Sequence, residues 1–529
     1  MKTNQMKNQI QLKKILLFSL CFLLISLVSA QNLESKVDEI LKTQFKNNGT
    51  GAVALVAKKR NVIYRKAFGK ANLELDVNMV PENVFEVGSI TKQFTSVSIL
   101  MLLEEGKLNL EDNITKFIPD YPTNGKQITV HHLLTHTSGI KSYTSMQKFG
   151  KVTTKDVEPL KFIDFFKNEP MDFEPGEKYK YNNSGYFILG YIVEKVSGMS
   201  YPKFVEERIF KKLNMNSSYY GSHTKLIKNR AAGYRKRNGE YSNAQYISMT
   251  LPYAAGSIMS NVDDMLKWQT AIRNNILVKK ETIDKAFTNY TLNNGKKINY
   301  GYGWSFNEIN GVPTLEHGGS IPGYKSMGVY VPSEDVYVIV FSNCGCKSPT
   351  ALTIKIAALA INNPFSSGNN AVSLSKEELQ KWVGAYKFED GGIRLITMEN
   401  NQLYSQRKGS SSKFKIYPIS SNEFSFEDGF YRYKFSENQG KKTTIFQNRI
   451  KKENGVFTQK EAPKDKKEII VASEILKGYE GEYELKTDFT ITVTSKGNQL
   501  FAQATGQPQL ELFAETQTKF FLKVVLFFT

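Results

Sequence analysis

At 529 residues the chain is too long for one ordinary core, and its length is that of about three domains. A hydrophobic content of 40% against 23% charged residues excludes wholesale disorder. The formal net charge of +19 does not make a nucleic-acid binder, because the lysines are scattered through every segment and no nucleic-acid motif accompanies them; a basic surface suited to anionic envelope polymers is the compositional reading that remains.

The first thirty residues read as a secretory signal. Lys13-Lys14 close a basic region, Ile15 to Val28 are apolar, and Val28-Ser29-Ala30 offers small residues for cleavage before Gln31. The apolar run is short for a spanning helix, which favours cleavage over an uncleaved anchor; Cys21 would leave with the signal, and no stable membrane span would remain. The expected location is secreted or periplasmic.

Val53 to Lys58 and Val62 to Lys66 follow as a predicted hairpin. In Glu86-Val-Gly-Ser-Ile-Thr-Lys-Gln-Phe94, a glycine suits a tight entry into a helix, Ser89 falls in the first turn and Lys92 lies one turn later on the same face. An amine is thereby set beside a hydroxyl. Serine is a weak nucleophile until a neighbouring base takes its proton, and a desolvated lysine can be that base. Thr91 to Glu105 has the apolar density of a buried helix ending at Gly106, with Glu104 and Glu105 closing it as solvated surface instead of acting as an acid/base pair. His132 and His136 are one helical turn apart but lack a carboxylate partner at a zinc-enzyme spacing, so they read as structural, bracing the segment that ends at Gly139.

Tyr181-Asn-Asn-Ser-Gly-Tyr186 pairs a phenol that can relay a proton with Asn183, whose amide can donate to a substrate carbonyl. Tyr302 and Trp304 suit a substrate pocket and a core equally. His317-Gly-Gly-Ser-Ile-Pro-Gly-Tyr324 places a polar head and Gly318, Gly319 and Ser320 just ahead of the strand-like run Ser326 to Val331, where glycines let a substrate approach the backbone. Tyr324 is expected near the site, its role open. A strand from Val336 to Phe341 ends at Ser342-Asn343. Cys344 and Cys346, separated by Gly345, read as a loop at that strand's end, since the spacing makes an unstrained intramolecular disulfide difficult; redox pairing and intermolecular linkage are the alternatives. A helical run from Thr350 to Ile361 closes the region. The early hairpin and the late strands imply one antiparallel sheet, with the helical material between them forming a second lobe.

Asn362 to Asn370 is a Pro/Ser/Gly/Asn-rich connector, and an internal repeat lies beyond it. Leu379-Gln-Lys-Trp-Val-Gly384-Ala-Tyr386 recurs as Leu476-Lys-Gly-Tyr-Glu-Gly481-Glu-Tyr483, Asn401-Gln-Leu403 as Asn498-Gln-Leu500, and Phe424 as Phe521. Two copies of a strand-rich module are expected, joined by the Lys-rich linker around Pro463 to Lys467. The second copy stops soon after its matching Phe521 and is expected to lack strands that the first has, leaving an unpaired edge and the apolar tail Val524 to Phe528.

Ser89/Lys92, Tyr181/Asn183 and His317 to Ser320, in this order, resemble the serine β-lactamase and penicillin-binding superfamily, in particular its class C branch with the related esterases and D-amino-acid peptidases. Leu133-Leu-Thr-His-Thr-Ser-Gly139, Gly256-Ser-Ile-Met-Ser260 and Tyr300-Gly-Tyr-Gly-Trp304 support the resemblance, which covers roughly residues 35 to 362. It implies an α+β fold, an antiparallel sheet flanked by helices beside a helical lobe, followed here by two small all-β, lipocalin-like barrel modules. The expected boundaries are 1–30 for the signal, 31–365 for the hydrolase domain, 374–462 for the first module and 470–529 for the second. It further implies that Ser89 forms an acyl-enzyme, that Lys92 and Tyr181 share the proton work, that Asn183 holds substrate amide or the Lys92 amine, and that the Ser89 and Ser320 amides form an oxyanion hole, with no metal or cofactor. The chain departs from the pattern at His317, where β-lactamases and transpeptidases usually carry a lysine. A largely neutral imidazole is no fixed cation for a substrate carboxylate, so an ester, amide or D-amino-acid peptide substrate fits at least as well as penicillin. The expected partner is a small-molecule or peptide substrate of cell-wall type. A non-catalytic penicillin sensor or envelope-ligand scaffold is the competing class, disfavoured by the intact Ser89, Lys92 and Tyr181.

Overall fold

The computed structural model describes residues 32–366, 368, 371–458, 468–486, 489–505 and 509–522. The signal segment, the linker at 463–467 and the tail at 524–528 lie outside the described residues. The chain divides into two units, Met1–Pro364 and Phe365–Thr529.

The first unit is built on a six-stranded antiparallel sheet. After helix α1 (residues 32–44), β1 (Ala52–Lys58) and β2 (Asn61–Phe68) form the expected hairpin, turning at Lys59 and Arg60, both with positive φ as a two-residue loop of this type requires. The late strands β3 (Ser305–Ile309), β4 (Val312–Ile321), β5 (Tyr324–Val331) and β6 (Val336–Ser342) complete the order β3-β4-β5-β6-β1-β2. β1 is therefore an interior strand, paired with β6 from Ala52↔Ser342 to Lys58↔Val336. Its alternation divides the two faces. Val53, Leu55 and Ala57 join the main core, whereas Ala54 and Val56 are fully buried on the other side.

That core is closed by the helical lobe. Helix α2 (Thr91–Glu104) is buried along all but its last two residues, its small polar side chains included, and it packs against α3 (Asn183–Ser197). α4 (Val262–Arg273) lays Trp268 on Phe94, their rings stacked at 4.0 Å, and packs on β1 and β6; α5 (Thr350–Ala360) packs on β5 and β6 but contributes nothing to the same core.

His317 to Ser320 lie just ahead of β5, as expected, and themselves form the last part of β4, facing β5 in register (His317↔Gly328, Ser320↔Lys325). The loop reading of Cys344 and Cys346 is corrected. Cys344 and Cys346 form a disulfide. The chain turns sharply at Gly345, whose N–H is held by the Tyr234 carbonyl at 2.9 Å, and this brings the two Cα atoms to 5.0 Å, within disulfide reach.

The second unit holds both modules. In the first, helix α6 (Lys376–Gln380) leads into a closed barrel of eight antiparallel strands, from β7 (Gly384–Phe388) through β8 (Ile393–Glu399) and β9 (Gln402–Arg407) to β14 (Lys451–Thr458), which pairs back onto β7. In the second, α7 (Ser473–Lys477) leads into a five-stranded sheet running from β15 (Gly481–Lys486) to β19 (Phe520–Leu522), whose outer strands are not joined to each other among the described residues. The repeat is structural as well as textual. Gly384 and Gly481 share φ near 150°, and Tyr386 and Tyr483 each donate a hydroxyl hydrogen bond at 3.1 Å to the carbonyl four residues back, on Trp382 and Tyr479.

Candidate active site

The nucleophile turn is assembled by glycines and by one strand end. Gly88 to Ile90 form a tight 3-10 turn that runs into α2, so Ser89 sits just before the α-helix proper and Lys92 in its first turn. Gly88 has φ +55, and a Cβ there would stand 2.8 Å from the Ser320 amide nitrogen, so backbone conformation and close approach both require glycine. The Val87 carbonyl just before it accepts the Ser326 hydroxyl at 2.8 Å. Gly319 makes that contact possible, because a Cβ on it would fall 1.9 Å from the Val87 oxygen. The glycine pair expected to admit substrate thus serves another purpose at 319: it admits the nucleophile's own turn. Gly318 is different, its Cβ direction meeting only ordinary contacts at 3.4 Å.

We therefore expect Gly319→Ala to cost about 1–3 kcal/mol and to lower kcat/KM more than tenfold by displacing Ser89, while Gly318→Ala stays near wild type. Thermal unfolding and ester kinetics on the two variants check this, and equal behaviour would contradict it.

Lys92 is fully buried, and its Nζ reaches Asn183 Oδ1 at 2.8 Å, the Ala255 carbonyl at 2.9 Å and Ser89 Oγ at 3.3 Å. Burial holds its pKa well below the ordinary 10.5. In the neutral amine two N–H bonds satisfy the two fixed acceptors, which turns the lone pair toward Ser89. The Asn183 amide is itself oriented by donating to Thr144 Oγ1 at 3.2 Å, and its backbone N–H donates to Ser142 Oγ at 3.2 Å. The Ala255 carbonyl comes from the short helix Tyr253–Gly256, whose first residue is held at φ +44.

Tyr181 is 38% exposed, and its phenol is close enough to the Ser89 side chain to be influenced by it. Burial is the main cause raising its pKa well above 10, with the Ser89 contact opposing, so the phenol rests protonated. Its ring lies 4.7 Å from Lys92 Nζ. Behind it stands His136, at φ +60 and 1% exposed, with Nδ1 accepting the Asn182 amide at 3.0 Å and its ring 4.3 Å from that of Tyr181. The structural reading of His136 holds in kind, and the structure gives it an object: it backs the tyrosine. His132 caps its own helix through Thr129.

His317 is buried, and burial first, then the nearby Lys92, bring its pKa down to about 3. The Gly318 carbonyl at 2.7 Å fixes the proton on Nδ1, leaving Nε2 to accept the Tyr300 hydroxyl at 3.0 Å. It is a neutral, fully bonded side chain.

A cleft of about 250 Å³ opens in front of Ser89, bounded by Ser320, Asn183 and an apolar side of Tyr143, Phe149, Ile247 and Ile321; none of its lining residues is charged. Tyr302, Trp304 and Tyr324 do not line it. They are core, Tyr302 bonding His131 Nδ1 at 2.8 Å and Tyr324 the Ala231 carbonyl at 2.7 Å. Glu104 and Glu105 are exposed, away from the site. Sequence reasoning assigned no role to Thr144, Ala255 or Tyr300. Only Tyr300 left a trace, at the head of Tyr300-Gly-Tyr-Gly-Trp304; a backbone carbonyl such as that of Ala255 leaves none.

Comparison with known proteins bears on the family and the fold. The Beta-lactamase family model matches residues 33–360, and a model described as a domain of unknown function (DUF3471) matches residues 465–527. Penicillin-binding protein 4* of Bacillus subtilis (strain 168) is 26% identical over 422 residues, covering 74% of this chain and 92% of that protein. The octameric penicillin-binding protein homologue from Pyrococcus abyssi superposes with a TM-score of 0.56 at 27% identity, over 80% of this chain and 99% of that one. A D-stereospecific amidohydrolase from Streptomyces sp. does so at 0.52 and 25%, over 59% and 94%. With the sheet order, the Ser89–Lys92 turn and a family match over most of the first unit in agreement, the chain belongs to the β-lactamase family, within the β-lactamase and penicillin-binding protein superfamily.

Proposed function

We propose that the protein is a serine hydrolase that cleaves an uncharged ester or amide with an apolar acyl group through an acyl-enzyme on Ser89. The observation that carries this reading is the Lys92 amine: buried, held by two acceptors and aimed at Ser89 Oγ 3.3 Å away. Lys92 takes the Ser89 proton, directly or through the Tyr181 hydroxyl, as Oγ attacks the carbonyl carbon. The Ser89 and Ser320 amides receive the developing oxyanion, a pair of which each member contributes about 3–4 kcal/mol of transition-state stabilisation. The bond to the leaving group then breaks, the leaving group takes the proton, and water attacks the ester with Lys92 and Tyr181 again moving the proton.

The cleft's chemistry supports an uncharged substrate. Among the described residues, no cation lines the cleft for a carboxylate, since His317 stays neutral, and no carboxylate lines it to receive a free α-ammonium. The D-stereospecific amidohydrolase among the structural relatives supports an amide of D configuration as one form of this substrate. For the cell, we propose a secreted or periplasmic location, which the signal-like segment at 1–30 and the Cys344–Cys346 disulfide both support.

The test is a hydrolysis panel of p-nitrophenyl butyrate, N-acetyl-D-phenylalanine amide and nitrocefin. We expect kcat/KM to be highest for the ester and at least tenfold lower for the carboxylate-bearing nitrocefin. Nitrocefin turnover above that of every uncharged substrate would overturn the reading and favour a β-lactamase.

A further inference from the structure

The eight-stranded barrel is filled at one end and open at the other. Side chains alternate inward and outward along each strand, so the inward set can be followed from end to end. Ile396, Leu403, Ile416, Phe424 and Phe435 pack with Trp382 to plug one end. Two residues further along the same strands, the inward positions become Arg394, Ser405, Phe414, Phe426 and Tyr433, and these surround a cavity of about 320 Å³ with Arg407 at its rim. That volume lies in the range of small-molecule sites.

The two arginines are a feature of the first module that the second does not repeat. In register they face each other directly, Arg394↔Arg407, on the inward side of β8 and β9. In the second module the equivalent pair, at the same register of the equivalent strands, is Ile491↔Ala504. The plug, by contrast, recurs: Leu403 has its counterpart in Leu500 and Trp382 in Tyr479, both placed in the second module's core. The repeat thus separates packing, which both copies keep, from a facing pair of guanidiniums, which only the first carries. Like charges directly opposed across a ladder destabilise it, so the pair calls for an anion between them.

Each guanidinium already has one carboxylate partner on one side of its fork. Arg394 Nη2 bonds Glu453 Oε2 at 2.6 Å, and that carboxylate is shared with Lys451 at 3.0 Å. Arg407 Nη2 meets Asp390 at 3.0 Å, both side chains being largely exposed. Each guanidinium has five N–H donors in a planar fork, so both retain donors beyond these bonds. Arg394 Cζ also lies 3.5 Å from the centre of the Phe446 ring and 4.6 Å from that of Phe388, which holds the guanidinium at the wall of the cavity. Asp428 is the single carboxylate among the lining residues, against two guanidiniums.

We propose that this cavity binds a small amphipathic anion, an apolar chain or ring carrying a carboxylate, with the carboxylate held between Arg394 and Arg407 and the apolar body against Phe414, Phe426 and Phe446. The proposal is independent of the reading of the hydrolase site.

Isothermal titration of the full chain with decanoate, 1-naphthoate, decanol and decyltrimethylammonium tests it, beside the variant Arg394→Ile/Arg407→Ala, which installs the pair that the second module carries. We expect both carboxylates to bind the wild type at least tenfold more tightly than the alcohol, and the cation not to bind. In the double variant carboxylate affinity should fall at least tenfold, with p-nitrophenyl butyrate hydrolysis unchanged. If the double variant does not fold, Arg407→Ala alone, at an exposed rim position, should still weaken carboxylate binding at least threefold. No carboxylate binding by the wild type, equal binding of the cation, or undiminished carboxylate affinity in a folded arginine variant would overturn the proposal.

Discussion

Replacing Ser89 by alanine is expected to abolish covalent acylation and to lower kcat by about three orders of magnitude or more. Incubated with an activated ester, the wild type should show one acyl adduct by intact-mass spectrometry, and Ser89→Ala none. The basis is geometric, since Ser89 Oγ is the hydroxyl 3.3 Å from the buried Lys92 amine. Removing one oxygen atom leaves no cavity of consequence, so the fold should survive and the loss be chemical. A persisting adduct would place the nucleophile elsewhere.

Lys92→Met should lower kcat by about two to four orders of magnitude, the range of a general base, with little change in substrate binding, because the amine lies behind Ser89 and not among the residues lining the cleft. The pH dependence gives a second readout. Burial depresses the Lys92 pKa, so the reactive free base forms with rising pH well before an ordinary lysine would lose its proton, and kcat/KM should climb along an acidic limb to a plateau. His317, with a pKa of about 3, and His131, of about 4, stay neutral across the usual working range and cannot produce such a limb there. The stability sign follows from the same shift. Between the depressed folded pKa and 10.5 the unfolded chain holds a proton on Lys92 that the folded protein has released, so stability rises with pH across that window. Lys92→Met removes this dependence and should stabilise the protein most at the acidic side. Wild-type and variant unfolding curves that stay parallel over pH would show that Lys92 is charged in the folded enzyme.

Much of this molecule was legible in its residues. Periodicity and turn chemistry located the hairpin at 52–68, the buried helix after Ser89 and the duplicated modules, because apolar alternation and positive-φ turn residues are local properties of the chain. Ser89, Lys92, Tyr181 and Asn183 could be singled out because proton transfer needs particular functional groups at reachable spacings, and such groups are visible as letters.

Tertiary structure decided the rest. Only the sheet order brings Gly319 against Val87 and so shows that this glycine makes room for the nucleophile's turn, a steric fact between residues far apart in the chain. Lys92 owes its third partner to the Ala255 carbonyl, and a backbone oxygen is the same in every residue, so no side-chain pattern could have announced it. The Cys344–Cys346 disulfide was disfavoured on spacing alone, until the bond from Gly345 to Tyr234 bent the chain between them. His317 read as neutral from its ordinary pKa, but its burial and its bond to Tyr300 are what keep it so. Composition and local pattern determine which groups are available and which segments bury themselves. Proximity, desolvation and the direction in which a buried amine points are set by long-range packing, and the chemistry proposed for this site rests on those.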